Sequence, residues 1–245
     1  MRSQMRIVLA TLVLAVGWTL GGRVSRAIAA MDTFRVRHVE VVGVTLLERN
    51  TVLELLDLEE GATVWGDTGE WAERVQVHPL ADSVRIHRRI PGKLVVDVQE
   101  TRPVALAPTP TLEAVDAHGR RLPVDPSQHA LDLPVLGTST PVPDARFLRA
   151  RGRLLAGEVA WIMEADTAFL QRVSEVRWMD PSSLRVRWSE PSVEFLLPQA
   201  TPSWRLQEGL AVLADVLARE PDPSPRVIDL RFVDQVVVRL NPRRR

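Results

Sequence analysis

The residues in this chain that could do acid–base or metal chemistry are five histidines, and their spacing matches no catalytic pattern. They are His38, His78, His87, His118 and His129. No HExxH motif occurs, and the nearest metal-like pair, Asp116-x-His118, is more typical of a turn in which the aspartate accepts hydrogen bonds from the backbone. The motifs GxSxG, SxxK, GxGxxG and the P-loop are also absent from the sequence. We therefore predict no catalytic, metal or cofactor site, and a protein that is not an enzyme.

The amino-acid composition argues against several further classes of function. The sequence has no Cys, no Tyr and one lysine, Lys93, so thiol, phenol and Schiff-base chemistry have almost no candidate groups. Thirty-one basic and thirty-one acidic residues balance to a formal charge of zero, so no whole-protein field attracts nucleic acid or anionic lipid. An apolar content of 45% with 25% charged residues is ordinary for a folded protein. We expect a folded protein that does not bind nucleic acid.

The clearest candidate for binding is the alternation of apolar residues near the C-terminus. Ile228, Leu230 and Phe232 alternate with polar neighbours, and after a break at residues 234–235 the alternation resumes through Val236 and Val238. Such a pattern predicts β-structure at or near a sheet edge. An edge strand carries unpaired N–H and C=O groups that a second chain can satisfy.

The N-terminal segment predicts a membrane anchor. Residues 1–6 form a short basic head, and residues 7–22 follow with sixteen positions that lack any charge. We predict a transmembrane helix over 7–30, with flanking arginines that snorkel to the interface. The alternative is a cleaved signal peptide, because the small-x-small run at residues 27–29 fits a cleavage site. Both interpretations place residues 31–245 outside the cytoplasm.

Residues 31–104 predict a small α+β unit with the order strand, helix, helix, strand, strand. Asn50 is a candidate N-cap for the first helix, and Asp67 with Glu70 forms a capping-box pattern for the second. Alternating residues on either side of Pro91-Gly92 then predict an antiparallel hairpin, with both helices covering one face of the sheet.

Residues 105–240 predict a second unit rich in β-structure, with an antiparallel sheet and packed helices. We expect a hairpin over 111–124, centred on His118-Gly119, and a strand pair around residues 180–183. Two helical stretches carry apolar stripes; their members are Leu154, Leu155, Val159, Ile162 and Met163 in the first and Leu206, Leu210, Leu213 and Leu217 in the second. The pattern leaves the topology of 138–175 open, and 241–245 is a basic tail that we expect to be disordered.

Three stretches are informative by their order and spacing: VRHVEVVGV at 36–44, HPLADSVRIHRRIPGKLVVDVQETRPVAL at 78–106 and IDLRFVDQVVVRL at 228–240. Together they resemble the FtsQ/DivIB family of bacterial cell-division proteins. The resemblance implies a cytoplasmic head, one membrane span, a POTRA domain at 31–104 and a β-domain at 105–240 that ends in an edge strand. It also implies a single-pass protein of the cytoplasmic (inner) membrane at the division septum.

The same resemblance implies a non-catalytic scaffold. In the family, the domain outside the cytoplasm binds the membrane-anchored coiled-coil proteins FtsB and FtsL, and FtsB adds a strand to the C-terminal edge. The positions that match the partner-binding strand are Arg231, Phe232, Val236, Val237 and Val238. Arg231 would then pair with an acidic residue of the partner. The competing interpretation is that Phe232, Val236 and Val238 are core residues and that Arg231 is solvated. The sheet edge near residues 39–42 is a second candidate contact.

Two other functions compete with the scaffold. A POTRA-bearing transport or chaperone component would use the same edge-strand physics, but the residues after Gln99 leave little room for further POTRA units or a membrane barrel. A secreted hydrolase of peptidoglycan or another glycan is the remaining alternative, because paired carboxylates are brought together only in space. Trp71 and Trp188 stand at core-facing positions of their patterns, which favours packing over a glycan platform.

Overall fold

The computed structural model describes residues 32–109, 111–126, 128–137, 151–219 and 225–240. They divide into a first unit, which ends at Glu100, and a second unit, which begins at Thr101. The predicted head, the predicted transmembrane helix at 7–30 and the basic tail lie outside the described residues. Among the helices that are described, none has the length and apolar character needed to span a bilayer.

The first unit has the predicted order of elements. A short 3-10 helix at Asp32–Phe34 precedes β1 (His38–Val42), α1 (Arg49–Leu56), α2 (Thr68–Gln76), β2 (Ala81–Arg89) and β3 (Lys93–Glu100). The three strands form a sheet in the order β1-β3-β2, in which β1 runs parallel and β2 antiparallel to β3. The antiparallel hairpin predicted from the alternating residues on either side of Pro91-Gly92 is confirmed. The residues that form the core of this unit include Val41, Val52, Leu56, Trp71, Val75, Leu94 and Val96.

One of the two predicted helix caps is confirmed and the other is wrong. The Asp67 carboxylate accepts hydrogen bonds from the backbone N–H groups of Gly69 (2.9 Å) and Glu70 (3.2 Å), as an N-cap should. Asn50 does not cap α1, because the helix already includes Arg49 and is preceded by Glu48, whose side chain makes no cap bond. A sequence pattern locates a helix start only to within a residue or two, which is enough to misplace a cap.

The loop before α1 is held by a distant carboxylate. Glu100, the last residue of β3, accepts hydrogen bonds from the N–H groups of Thr45 (2.8 Å), Leu46 (2.9 Å) and Leu47 (2.7 Å). Three donors on one ionised acceptor form a strong anchor. This contact joins the loop between β1 and α1 to the end of the central strand.

We expect Glu100→Ala to destabilise the first unit by about 2–3 kcal/mol, because three backbone donors lose a charged acceptor. Hydrogen exchange of the full chain, followed by mass spectrometry, should show faster exchange in peptides that cover 44–56. The matched control is Glu60→Ala, an exposed glutamate, which should leave that exchange unchanged. Equal protection in both variants would contradict the anchoring role of Glu100.

The second unit contains an eight-stranded sheet in the order β11-β10-β9-β8-β7-β6-β4-β5. Its elements are β4 (Ala105–Thr109), β5 (Thr111–Val115), β6 (Val135–Leu136), α3 (Arg151–Ala165), α4 (Thr167–Leu170), β7 (Val173–Asp180), β8 (Ser183–Trp188), β9 (Val193–Pro198), α5 (Ser203–Arg219), β10 (Pro225–Asp229) and β11 (Val237–Leu240). The prediction of an antiparallel sheet holds for four of the seven described strand pairs, but the sheet is mixed, because β4 and β6, β6 and β7, and β9 and β10 pair in parallel. The connections β6–α3–α4–β7 and β9–α5–β10 contain helices, and a helical crossover brings the next strand back in the same direction.

The hairpin predicted over 111–124 is centred on His118-Gly119 as predicted, but it is short: the Leu122 N–H donates to the Ala114 carbonyl at 2.9 Å, and the Asp116 N–H donates to the Arg120 carbonyl at 3.0 Å. β5 pairs with β4, and beyond β5 the chain makes a turn with one isolated bridge between Val115 and Arg121. The turn is the one expected from Asp116-x-His118, since the Asp116 carboxylate accepts hydrogen bonds from the N–H groups of His118 (2.9 Å) and Arg120 (2.8 Å). Asp116 also pairs with the Arg120 guanidinium at 2.6 Å. The hydrogen bonds of the turn and the ion pair with Arg120 therefore explain why Asp116 is found at this position.

The core of the second unit forms where α3, α4 and α5 pack on the sheet. At its centre the rings of Phe169, Trp188 and Phe195 lie 5.0 to 5.1 Å apart, which confirms Trp188 as a packing residue. Leu155, Val159 and Ile162 of α3 are buried as predicted, whereas Leu154 is exposed. The helical period explains this, because Leu155, Val159 and Ile162 share one face of the helix and Leu154 points about 100° away from Leu155.

Candidate partner-binding edge

β11 is the outermost strand of the eight-stranded sheet. It pairs antiparallel with β10 through Asp229↔Val237, Ile228↔Val238 and Val227↔Arg239. In the part of the chain that the structure describes, no strand lies on its other side. Alternate residues of an antiparallel strand direct their N–H and C=O groups away from the partner strand. β11 thus presents a short row of unsatisfied backbone groups, which is the requirement for strand addition.

The predicted partner-binding residues lie in the loop between β10 and β11 and in β11 itself. Val236, Val237 and Val238 are half-buried, and Val236 packs against the hydrophobic core of the unit. Phe232 is not part of a strand: it lies in the loop between β10 and β11, and 43% of its surface is exposed. The predicted continuation of the strand through Phe232 is therefore wrong. Phe232 is not among the described residues that form the hydrophobic core, and its side chain is partly exposed in the loop that precedes β11.

Arg231 is held by carboxylates of its own chain. Its guanidinium donates to the Asp229 carboxylate twice, from Nε to Oδ1 at 2.9 Å and from Nη2 to Oδ2 at 2.8 Å, and Asp180 lies 3.8 Å away. Asp229 is fully buried, so this bidentate pair is shielded from water on one side. The hydrogen bonds to Asp229 raise the pKa of Arg231. An acidic group of a partner would join this cluster as a further carboxylate rather than meet an unpaired cation.

Sequence reasoning missed Arg205, which fixes the loop that carries Phe232. Its side chain is 3% exposed, and it donates from Nε to the carbonyl of Leu230 at 3.2 Å and from Nη2 to the carbonyls of Phe232 and Gln235, the latter at 2.7 Å. Nη1 also pairs with Glu208. These bonds hold three carbonyls of residues 230–235, while the Leu230 N–H still bonds the Leu196 carbonyl of β9 at 2.8 Å. The signal for it was a charged residue in line with Gly209 and Leu213, at helical spacing on the buried face of α5.

Comparison with known proteins supports the resemblance seen in the sequence. The family model of the POTRA domain, FtsQ-type, matches residues 34–101. The cell division protein FtsQ of Anaeromyxobacter sp. (strain K) is 32% identical over 247 aligned residues, which cover 93% of this chain and 76% of that protein. This chain belongs to the FtsQ/DivIB family. The FtsQ of Rhodothermus marinus is 26% identical over 220 residues, which cover 85% of this FtsQ-family chain and 79% of the relative.

A solved structure of the major extracytoplasmic domain of the division protein DivIB from Geobacillus stearothermophilus also aligns with this FtsQ-family chain. The identity is 21%, and the alignment covers 50% of this chain and 98% of that domain, with a TM-score of 0.33.

The POTRA domain of this FtsQ-family chain has an open edge of its own. β1 is an outer strand of the three-stranded sheet, and Val39 and Val42 lie on it. Val39 is half-buried and Val42 is exposed. The second contact predicted from the sequence thus falls on a strand that has one partner, β3, among the residues described.

The Arg231–Asp229 pair should make the stability of this FtsQ-family chain depend on acid. Burial raises the pKa of Asp229, but the hydrogen bonds from the Arg231 side chain and backbone outweigh it, so the pKa is lowered overall. A lowered folded-state pKa means that the pair stabilises the fold fully above the unfolded value, about 3.9, and that this stabilisation is lost as the pH falls through the folded value. Neighbouring Asp180 follows the same rule, since the hydroxyl of Ser183 and the groups of Ser182 lower its pKa to about 2.

A double-mutant cycle of Asp229→Asn and Arg231→Met measures this. We expect a coupling free energy of about 2 kcal/mol at pH 7 from urea unfolding, and a steady decrease as the pH is lowered below about 3.9 toward the lowered pKa of folded Asp229. A coupling that does not fall with pH in this range would contradict the assignment.

Proposed function

We propose that this protein is a non-catalytic scaffold of the bacterial divisome, which captures FtsB- and FtsL-like membrane coiled-coil proteins by β-strand addition at β11. The observation that carries the proposal is the open edge of β11 at the end of the eight-stranded sheet. Its membership in the FtsQ/DivIB family supports the role in cell division. In this role the protein helps to assemble septal cell-wall synthesis without doing chemistry itself.

The arrangement around β11 suits an extended partner segment. The partner's backbone would satisfy the outward N–H and C=O groups of residues 237–240, and its alternate side chains would meet the sheet faces beside the edge. Phe232 and Val233, both exposed in the adjoining loop, add apolar surface next to the same edge. We propose Arg231, Phe232, Val236, Val237 and Val238 as the contact positions, with Arg231 acting from its Asp229 pair on an acid of the partner.

The proposal also includes a membrane anchor at 7–30, with residues 31–245 outside the cytoplasm at the division septum. The sixteen uncharged residues at 7–22 support this placement. An anchored scaffold and an anchored partner meet in two dimensions, which raises their effective concentration and lets a short edge give a stable complex.

Cysteine cross-linking tests the strand-addition mode. The natural sequence has no Cys, so single cysteines at positions 236–239 of the full chain are the only thiols in it. We expect disulfides with cysteines of the candidate FtsB-like segment to follow one strand register, so that moving one cysteine by two residues moves its best partner by two. A cysteine at Val77, exposed on the first unit, is the matched control and should not cross-link. A partner that cross-links to all positions alike, or to none, would contradict strand addition.

A further inference from the structure

Three segments of the first unit meet at one end of its sheet; together we call them the basic end. They are residues 32–37, residues 62–66 and residues 88–93. The Val64 N–H donates to the Phe34 carbonyl at 2.9 Å, and the Arg37 N–H donates to the Gly92 carbonyl at 2.8 Å. Arg88 closes the set by donating from Nε to the Val64 carbonyl at 2.6 Å. The basic end is therefore a connected surface, although its parts are distant in sequence.

The basic end exposes large apolar groups. Ile90 at the tip of the β2–β3 turn is 63% exposed, and Trp65 is 46% exposed. The Phe34 ring packs edge-on against Trp65 with 5.8 Å between centroids. Exposed apolar side chains that share one connected surface are candidates for an interaction site. Tryptophan in particular favours the boundary between water and hydrocarbon.

Cations surround these apolar groups. The basic end carries Arg35, Arg37, Arg88, Arg89 and Lys93, against one acid, Asp32. Asp32 pairs with Arg35 at 2.9 Å, and Lys93 pairs with Glu40 of β1 at 2.8 Å. Arg37 and Arg88 donate to backbone carbonyls and keep their full charge. Three arginines thus carry charge that no carboxylate among the described residues neutralises, although the whole chain has a net charge of zero.

The chain enters the first unit at the same end. Asp32 is the first described residue, and its carbonyl accepts a hydrogen bond from Arg37 at 3.3 Å. The segment that precedes it contains the uncharged run 7–22, which we assign to the membrane. A surface that combines exposed apolar residues with arginines, directly after a membrane span, fits the headgroup region of a bilayer.

We propose that the basic end rests on the membrane surface, with Ile90 and Trp65 at the boundary of the acyl chains and Arg37, Arg88 and Arg89 on anionic phospholipid headgroups. This inference rests on the membrane anchoring in the proposed function. The other end of the sheet, where Ala81 pairs with Glu100, lies about 25 Å further along the strands and points away from the bilayer. The contact fixes which end of the POTRA domain faces the lipid.

The test places a fluorescent reporter on the full-length protein in lipid nanodiscs. Because the chain has no Cys, Ile90→Cys or Val77→Cys gives a single labelling site for an environment-sensitive dye. Val77 is 81% exposed and lies beyond α2, near the start of β2 and thus at the far end of the sheet. We expect lipids brominated close to the headgroup to quench the dye at position 90 and not the dye at position 77. The quenching should be stronger with phosphatidylglycerol than with phosphatidylcholine alone, and weaker at high salt.

Charge reversal gives the matched comparison. Arg37→Glu with Arg89→Glu should lower the ratio of membrane-bound to free reporter by at least about 25-fold, since each juxtamembrane cation contributes about fivefold in affinity for an anionic surface and each reversal also adds a repelled anion. Arg49→Glu changes an exposed arginine of the same unit, two residues after Leu47, whose N–H bonds Glu100 at the other end of the sheet, and should leave the quenching intact. Neither change touches β11, so partner capture should persist in both variants.

Four outcomes would overturn the inference. The first is equal quenching of the dye at positions 90 and 77, and the second is quenching that does not depend on the lipid charge. The third is a full chain that does not insert into nanodiscs. The last is a change in the dye signal at position 90 that occurs only when other division proteins are added. The last would identify a protein-binding surface instead. If a β11 variant loses partner capture while the quenching at position 90 is unchanged, the membrane contact of the basic end is independent of strand addition at β11.

Discussion

Replacing Val237 or Val238 by proline is expected to abolish capture of the FtsB-like partner by the full-length protein. Proline lacks the N–H group and cannot donate to a ladder. Neighbouring residues of an antiparallel strand direct their N–H groups to opposite sides, so one substitution removes an outward donor and the other removes a bond to β10. Either change destroys the edge on which the partner would dock. We expect affinity to fall by at least about 100-fold in pull-down or surface-binding measurements.

The matched control for this experiment is Asp132→Pro. Asp132 is exposed in the loop before β6, away from β11 in the sheet order, and its N–H donates to no other described residue. This variant should keep its partner, its fold by circular dichroism and its membrane fraction. Wild-type capture by both strand variants would contradict strand addition at β11. In cells, the strand variants should remain in the membrane and fail to support division.

Replacing Arg205 by methionine is expected to destabilise the second unit by about 3 kcal/mol, because three backbone carbonyls lose their charged donor. For a unit of this size the change corresponds to a fall in melting temperature of roughly 6–12 °C. Capture of the partner should weaken as well, since the loop of Phe232 and the start of β11 lose the bonds that order them. The measurements are thermal unfolding and partner affinity of the full-length protein.

Two substitutions serve as comparisons for Arg205. Arg219→Met on the same helix removes an exposed pair with Asp215 and should cost less than about 0.5 kcal/mol. Arg205→Lys keeps the charge but has a compact ammonium in place of a planar fork, so intermediate stability is expected. If Arg205→Met binds and unfolds like the wild type, the loop is positioned by other contacts.

The sequence alone predicted the order of elements in the first unit and the resemblance to the FtsQ/DivIB family. Alternation around Pro91-Gly92 gave the β2–β3 hairpin, and the burial of Trp71 and Trp188 followed from their positions in local patterns. The edge location of the last strand was also predicted from its terminal position and its alternation. These features are local, because a period of two or 3.6 residues reports directly which face of an element is buried.

Only the tertiary structure decided how the edge is built. β9 and β10 pair in parallel because α5 connects them. Arg231 binds Asp229, which is buried. Phe232 is held in the loop by the hydrogen bond from Arg205 to its carbonyl. Each of these joins groups whose geometry is set by packing between elements. Periodicity shows that a residue is buried but not which atom it meets. The buried faces of helices and strands could therefore be predicted from the apolar pattern. The hydrogen-bond partners of buried charged residues could not.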